Sequence, residues 1–157
     1  MNTSVASRPQ LRPQAAEVLV ARDSETAPWM AVVGAGLLIA VAVIHLQDQG
    51  GLLGGESPTY LKFGYYLVEV VSIIAAVLIL RGRILGWVLG LGATALPFIG
   101  YMLSRTVGIP GDSGDIGNWG YLLGTVSLFV EGTFVVLGVF VLVRNLRSVL
   151  SGNESKV

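Results

Sequence analysis

Two carboxylates, Glu69 and Glu131, stand near the middle of long apolar stretches in this 157-residue chain and carry most of its chemical content. A charged side chain at bilayer depth is unfavourable by roughly 2.5–3.5 kcal/mol on insertion scales, so such groups face a protein interior, a water-filled cavity or a partner. If the two acids are neighbours they titrate as a pair, because low dielectric and a nearby carboxylate both favour the protonated form. Such a pair can exchange a proton or bind a cation. Equally, two neutral carboxylic acids can hydrogen-bond to serines, tyrosines or each other and do nothing more.

His45 is the only histidine and lies near the end of the first apolar stretch. It is either a hydrogen-bonded structural residue or, with Glu69 and Glu131, part of a nitrogen and oxygen ligand set for a metal ion such as zinc, copper, iron or manganese. Its position nearer the surface argues against a tight cluster, since Glu69 would have to reach upward or a water would have to bridge. Arg105 follows Tyr101 by one turn near the end of the third stretch. It can pair with Asp112 or Asp115 at the surface, the simpler choice, or reach Glu69 or Glu131. Glu69, Glu131, His45, Tyr101 and Arg105 are thus the candidate ligand or proton site, with His45, Glu69 and Glu131 the candidate metal ligands.

Composition fixes what must position these residues. Hydrophobic residues make up 53% of the chain and charged residues 13%, against roughly 45–50% and 25% in soluble domains. This is the composition of a membrane protein. The length allows one compact bundle, and the formal net charge of zero gives no general attraction to nucleic acid. Without cysteine there are no disulfides, thiolate metal sites, iron–sulfur clusters or cysteine nucleophiles.

Four spans are predicted, over residues 29–46, 60–80, 84–103 and 119–143, giving an all-α four-helix transmembrane bundle. The first covers about 27 Å, close to a hydrocarbon core of about 30 Å. A cleavable signal peptide with Ala40-Val41-Ala42 as its cleavage site is the competing reading, but the polar leader is long and the apolar run continues past the site. Residues 1–28 read as a disordered tail and residues 146–157 as a polar tail. Two Gly-rich acidic loops, 47–59 and 106–118, alternate with a tight turn at Arg81-Gly82-Arg83. The amino-terminal tail, that turn and the carboxy-terminal tail hold eight of the ten Lys and Arg residues. Both termini are therefore expected in the cytoplasm and the two loops outside, the setting being a bacterial inner membrane.

Helical spacing places Lys62, Tyr65 or Tyr66, Glu69, Ser72 and Ala76 on one face of the second span. The fourth span carries Gly120, Gly124, Ser127, Glu131 and Gly138 on another. Small residues let helices approach closely in lipid, so Gly82, Gly86, Gly90, Gly120 and Gly124 are expected to pack helices within the chain or in a homo-oligomer. Pro97 frees the carbonyl of Ala93 within the third span. No hydrolase or phosphate-loop motif is present: Gly111-Asp112-Ser113-Gly114 lacks the required strand-to-helix context. Nor do the acidic loops follow the ordered ligand series of an EF-hand.

Ile44-His45-Leu46 and the run Tyr101-Met102-Leu103-Ser104-Arg105-Thr106-Val107-Gly108-Ile109-Pro110-Gly111 resemble small four-helix integral membrane proteins of actinobacteria and related bacteria. The resemblance would span residues 29–145. It implies the fold and the membrane setting and brings no activity, while drawing attention to His45, Arg105 and Pro110. In those proteins a further histidine tends to follow the first; here Ser57-Pro58-Thr59-Tyr60 stands in that region, which weakens a metal site. The leading expectation is a small non-enzymatic membrane protein that binds a proton, metal ion or small ligand, or serves as an accessory subunit of a larger membrane complex. An oligomeric transporter or channel component is the alternative, against which stands the absence of an internal repeat with paired broken helices. An enzyme ranks third, since no nucleophile and base occur together.

Overall fold

The computed structural model describes residues 26–51, 59–111 and 113–154. The expected amino-terminal tail lies almost wholly outside these residues, as do Asp112 and the middle of the first loop. Four helices make up the bundle: α1 (Pro28–Asp48), α2 (Thr59–Leu80), α3 (Ile84–Thr106) and α4 (Leu122–Glu154). All four are long and apolar enough to cross a membrane.

Each helix packs on its sequence neighbours, and α1 closes the ring against α4. The result is an up-down-up-down bundle with two distinct ends. At the turn end, Arg81–Arg83 joins α2 to α3, and Gly82 takes φ +71 so that its neighbour Arg83 can donate back to the carbonyl of Leu78 at 2.9 Å. The loop end holds the carboxy-terminal end of α1, the long connection between α3 and α4, and the starts of α2 and α4.

Local chemistry sets the helix limits. Pro28 occupies the first turn of α1, where its missing N–H has no intrahelical acceptor to lose, and Ala27 before it is extended. Gly108 stops α3: at φ +80 its N–H turns back to the carbonyl of Leu103 at 2.9 Å. Pro97 sits inside α3, which continues on both sides of it. The helix of α1 also runs unbroken through Ala40-Val41-Ala42, where Val41 is fully buried.

Two boundaries differ from expectation. The fourth helix begins at Leu122 instead of Trp119, because residues 119–121 finish the turn that carries the preceding loop. It then continues to Glu154, so the expected tail from residue 146 is largely helical. No Pro or Gly interrupts residues 144–151, and the buried Asn145 amide donates back to the Val141 carbonyl at 2.9 Å. At 33 residues, α4 is about 50 Å long, which exceeds a hydrocarbon core of about 30 Å.

The core lies toward the turn end. Ala35 and Leu38 of α1, Ala75, Ala76 and Ile79 of α2, Ile84 and Trp87 of α3, and Phe134 and Val141 of α4 form one buried cluster. The Trp87 and Phe134 rings stack at 5.8 Å between centroids. Glycines admit these rings: a Cβ on Gly34 would meet the Trp87 ring at 2.6 Å, and one on Gly90 would meet Phe134 at 2.5 Å. Gly86 goes further. Its Cβ would meet the backbone of α2 itself, at Ile79 N (2.6 Å) and Ala75 O (2.8 Å), so α2 and α3 touch main chain to main chain there.

Of the five glycines expected to pack helices, Gly86, Gly90 and Gly124 do so. Gly82 and Gly120 do not: a Cβ on either would meet nothing within 4 Å. The first serves the turn by its backbone conformation, and the second precedes α4 and lies on the surface.

Candidate functional site

Every buried ionisable side chain among the described residues lies toward the loop end. His45, on the last turn of α1, meets Glu131 of α4 through Nε2 and Oε1 at 2.8 Å. Ser127, one turn before Glu131, donates to the same oxygen at 2.7 Å. Glu131 is 1% exposed and its Oε2 has no hydrogen-bond partner; Nδ1 of His45 is likewise without one. The contact can be made with the imidazole Nε2–H donating to the carboxylate or with a carboxylic acid donating to Nε2.

Glu69 takes a different partner. Gln49, the residue capping α1 and one turn beyond His45, donates to Glu69 Oε1 at 2.7 Å. A single face of α1 therefore supplies a hydrogen-bond partner to each acid, His45 to Glu131 and Gln49 to Glu69, about one helical turn apart. The two carboxylates are not directly paired, the arrangement in which they would titrate together: Glu131 takes His45 and Glu69 takes Gln49. Nor is the proposed metal set assembled. His45 and Glu131 touch, Glu69 is held by Gln49, and among the described residues no three His, Asp or Glu side chains gather with ligand geometry.

The expected surface position of His45 relative to Glu131 also needs correction, for a geometric reason. Because α4 starts at Leu122, Glu131 lies only nine residues into its helix, and α1 extends past Leu46 to Asp48. The two side chains thus arrive at the same level.

Asp48 anchors a second cluster at the mouth. Tyr65 of α2 donates to its Oδ2 at 2.8 Å and Tyr121, just before α4, donates to its Oδ1 at 2.7 Å. The Tyr121 hydroxyl is pushed up to about 12, first by the hydrogen bond to Asp48 and then by burial. The His45 and Tyr65 rings lie 5.5 Å apart, which ties this cluster to the first.

Arg105 pairs with Asp115, one of the two partners expected, but the pair is not a surface one on the arginine side: Arg105 is only 5% exposed. Its guanidinium lies 4.5 Å over the Tyr101 ring, and Trp119 packs edge-on against that ring. The hydrogen bond from Arg105 holds the Asp115 carboxyl below its ordinary range. The loop is fixed from the backbone as well, with Gly117 N–H donating to the Arg105 carbonyl at 2.9 Å. Tyr101 in turn rests on Gly124, where any Cβ would overlap its ring.

These groups surround one cavity of about 670 Å³, within the range of small-molecule sites. His45, Tyr101, Arg105 and Glu131 line it, together with Asp48, Tyr65, Asp115, Tyr121 and Ser127; Glu69 does not. Sequence reasoning underrated Asp48 and Gln49 by assigning them to a Gly-rich loop. The signal was present, since they stand three and four residues after His45 and so continue its helical face. Compared with protein-family models, with curated proteins and with solved structures, the chain matches none.

Proposed function

We propose that this small multi-pass membrane protein is non-enzymatic and uses its loop-end cavity to hold a proton or a small ligand on Glu131 and His45. One observation carries the reading: Glu131 lines the cavity and is almost fully buried, its Oε2 has no hydrogen-bond partner, and its Oε1 is engaged by both Ser127 and His45. Leaving a buried acceptor unpaired costs about 1–3 kcal/mol, and a bound donor or a proton removes that cost. Arg105, Tyr101 and Asp115 shape the mouth instead of reaching the acid. By charge distribution the mouth faces the outside of a bacterial inner membrane, with both termini cytoplasmic.

A conducting pathway is less well supported, because the turn end is closed by Leu38, Trp87 and Phe134, each without solvent exposure. Service as an accessory subunit of a membrane complex remains compatible with the same site and predicts co-purification with a larger assembly.

Infrared difference spectroscopy on the protein in lipid nanodiscs tests the site. A carboxylic-acid band that changes with pH and is lost in Glu131→Gln supports it. A pH-independent spectrum, or one unchanged by Glu131→Gln, overturns the proton site, and the absence of saturable ligand binding as well overturns the whole reading.

A further inference from the structure

The reading of this cavity as a ligand site leaves the ligand's class open, and the lining narrows it. By formal charge, three carboxylates (Asp48, Asp115 and Glu131) line the cavity against one guanidinium, Arg105. That balance stays acidic even with His45 protonated. An anionic head is therefore disfavoured and a cationic one attracted. Four tyrosines, Tyr60, Tyr65, Tyr101 and Tyr121, contribute to the same walls. Aromatic faces next to carboxylates are the combination that recognises organic ammonium groups. The chain's own cation already uses one such face, Arg105 over Tyr101 at 4.5 Å. The unpartnered Oε2 of Glu131 offers an acceptor for an N–H.

The rest of the cavity is apolar and runs between the loop-end halves of α2 and α3. Val68 and Pro97 line it, and Leu67 and Leu96 line it while remaining 52% and 70% exposed. The crevice thus reaches the outer surface of two membrane-spanning helices. Gly64 on α2 and Gly100 on α3 also line it, and a Cβ at either position would meet nothing within 4 Å. These glycines leave space instead of admitting a neighbour.

We propose that the loop-end cavity takes a lipophilic ammonium ion, its head held between Glu131, Asp48 and the tyrosine rings and its apolar body in the crevice between α2 and α3. The head donates to Glu131 Oε2, and the body reaches the site from the membrane side past Leu67 and Leu96.

The test uses the full chain in phosphatidylcholine nanodiscs, with empty nanodiscs as the partition control. Three probes share one skeleton: phenylbutylamine, its N-trimethylated quaternary analogue and phenylbutyrate. Calorimetric titration should show saturable binding of the amine at least tenfold tighter than the carboxylate, with the quaternary ion between them because it keeps the charge and loses the N–H. Gly64→Phe, whose Cβ would start in open space in the cavity wall, should weaken the amine at least tenfold while thermal unfolding stays near wild type. Glu131→Gln should do the same if it folds; the charge series and Gly64→Phe decide the matter if it does not. Equal or tighter binding of phenylbutyrate, or amine binding unchanged in Gly64→Phe, overturns the proposal. If the amine fails to bind while the Glu131 infrared band still titrates, the ammonium site is wrong and the proton site stands; if neither occurs, both fall.

Discussion

The two ends of the α2–α3 pair use the same residue type for opposite purposes. Toward the turn end, Gly86 brings α3 against the main chain of α2 at Ala75 and Ile79; toward the loop end, Gly64 and Gly100 face open space in the cavity wall. The connections explain the difference. A turn at Arg81–Arg83 forces the helices together, whereas α2 starts and α3 ends in separate loops that let their far ends part. Side-chain chemistry follows the same division. A stacked Trp87–Phe134 core fills the first end, and buried acids with their hydrogen-bond partners occupy the second. A small helix bundle can thus pack tightly at one end and keep a polar cavity at the other, since close packing and an open cavity are incompatible at one level.

Substitutions at the packed end should show the largest effect. Gly86→Leu forces a side chain into the α2 backbone, with an expected loss of about 3 kcal/mol or more, since overpacking against main chain has no soft neighbour to move. Denaturant unfolding in mixed micelles measures it. A near-wild-type midpoint would show that the helices separate easily and would erase the contrast between the ends.

The next effect is at the His45–Glu131 contact. Replacing either partner alone, as His45→Leu or Glu131→Leu, leaves a buried polar group behind and should cost about 2–3 kcal/mol. The double variant should be no worse than the poorer single one. Strict additivity in this cycle would mean that the two side chains are not coupled.

Asp115 gives a smaller, pH-dependent effect at the mouth. Its carboxyl is held low by Arg105, so the stabilisation is complete above the ordinary aspartate range near pH 4 and disappears as pH falls through the lowered value. Acid unfolding of Asp115→Asn should lack this component, while Asp115→Glu should retain part of it. An identical acid profile in Asp115→Asn would remove the ion pair from the account of loop anchoring.

Tyr121 supplies the smallest effect, with the opposite sign. Its hydroxyl ionises at about 12 in the fold, against 10.0 ordinarily, so the contribution is complete below pH 10 and is lost as pH rises toward 12. Tyrosinate absorbance at alkaline pH should show one late-titrating group that vanishes in Tyr121→Phe. If every tyrosine titrates together near the ordinary value, the Asp48 clamp is open in solution.

How far the site could be read in advance differs residue by residue. Glu69 and Glu131 fall in stripes of small and polar residues at helical spacing, and both are buried. That much follows from period alone. Their partners do not, because a hydrogen bond between residues 86 positions apart, as for His45 and Glu131, depends on the rotation and height of two helices that share no local signal. Glycine shows the same limit. Gly86 and Gly120 look alike as members of small-residue ladders, yet one is pressed on a backbone and the other stands in the open.

The sequence by itself determined the four spans, the tight turn between the second and third, and the inward face of each acid, because bilayer thickness and helical period act on consecutive residues. Only the tertiary structure decided that α1 runs on to Asp48, that His45 takes Glu131 while Gln49 takes Glu69, and that the two acids serve different partners. Those outcomes are set to within an ångström or two by how four helices rotate and slide against one another. Such displacements change every hydrogen bond and leave the hydropathy pattern untouched.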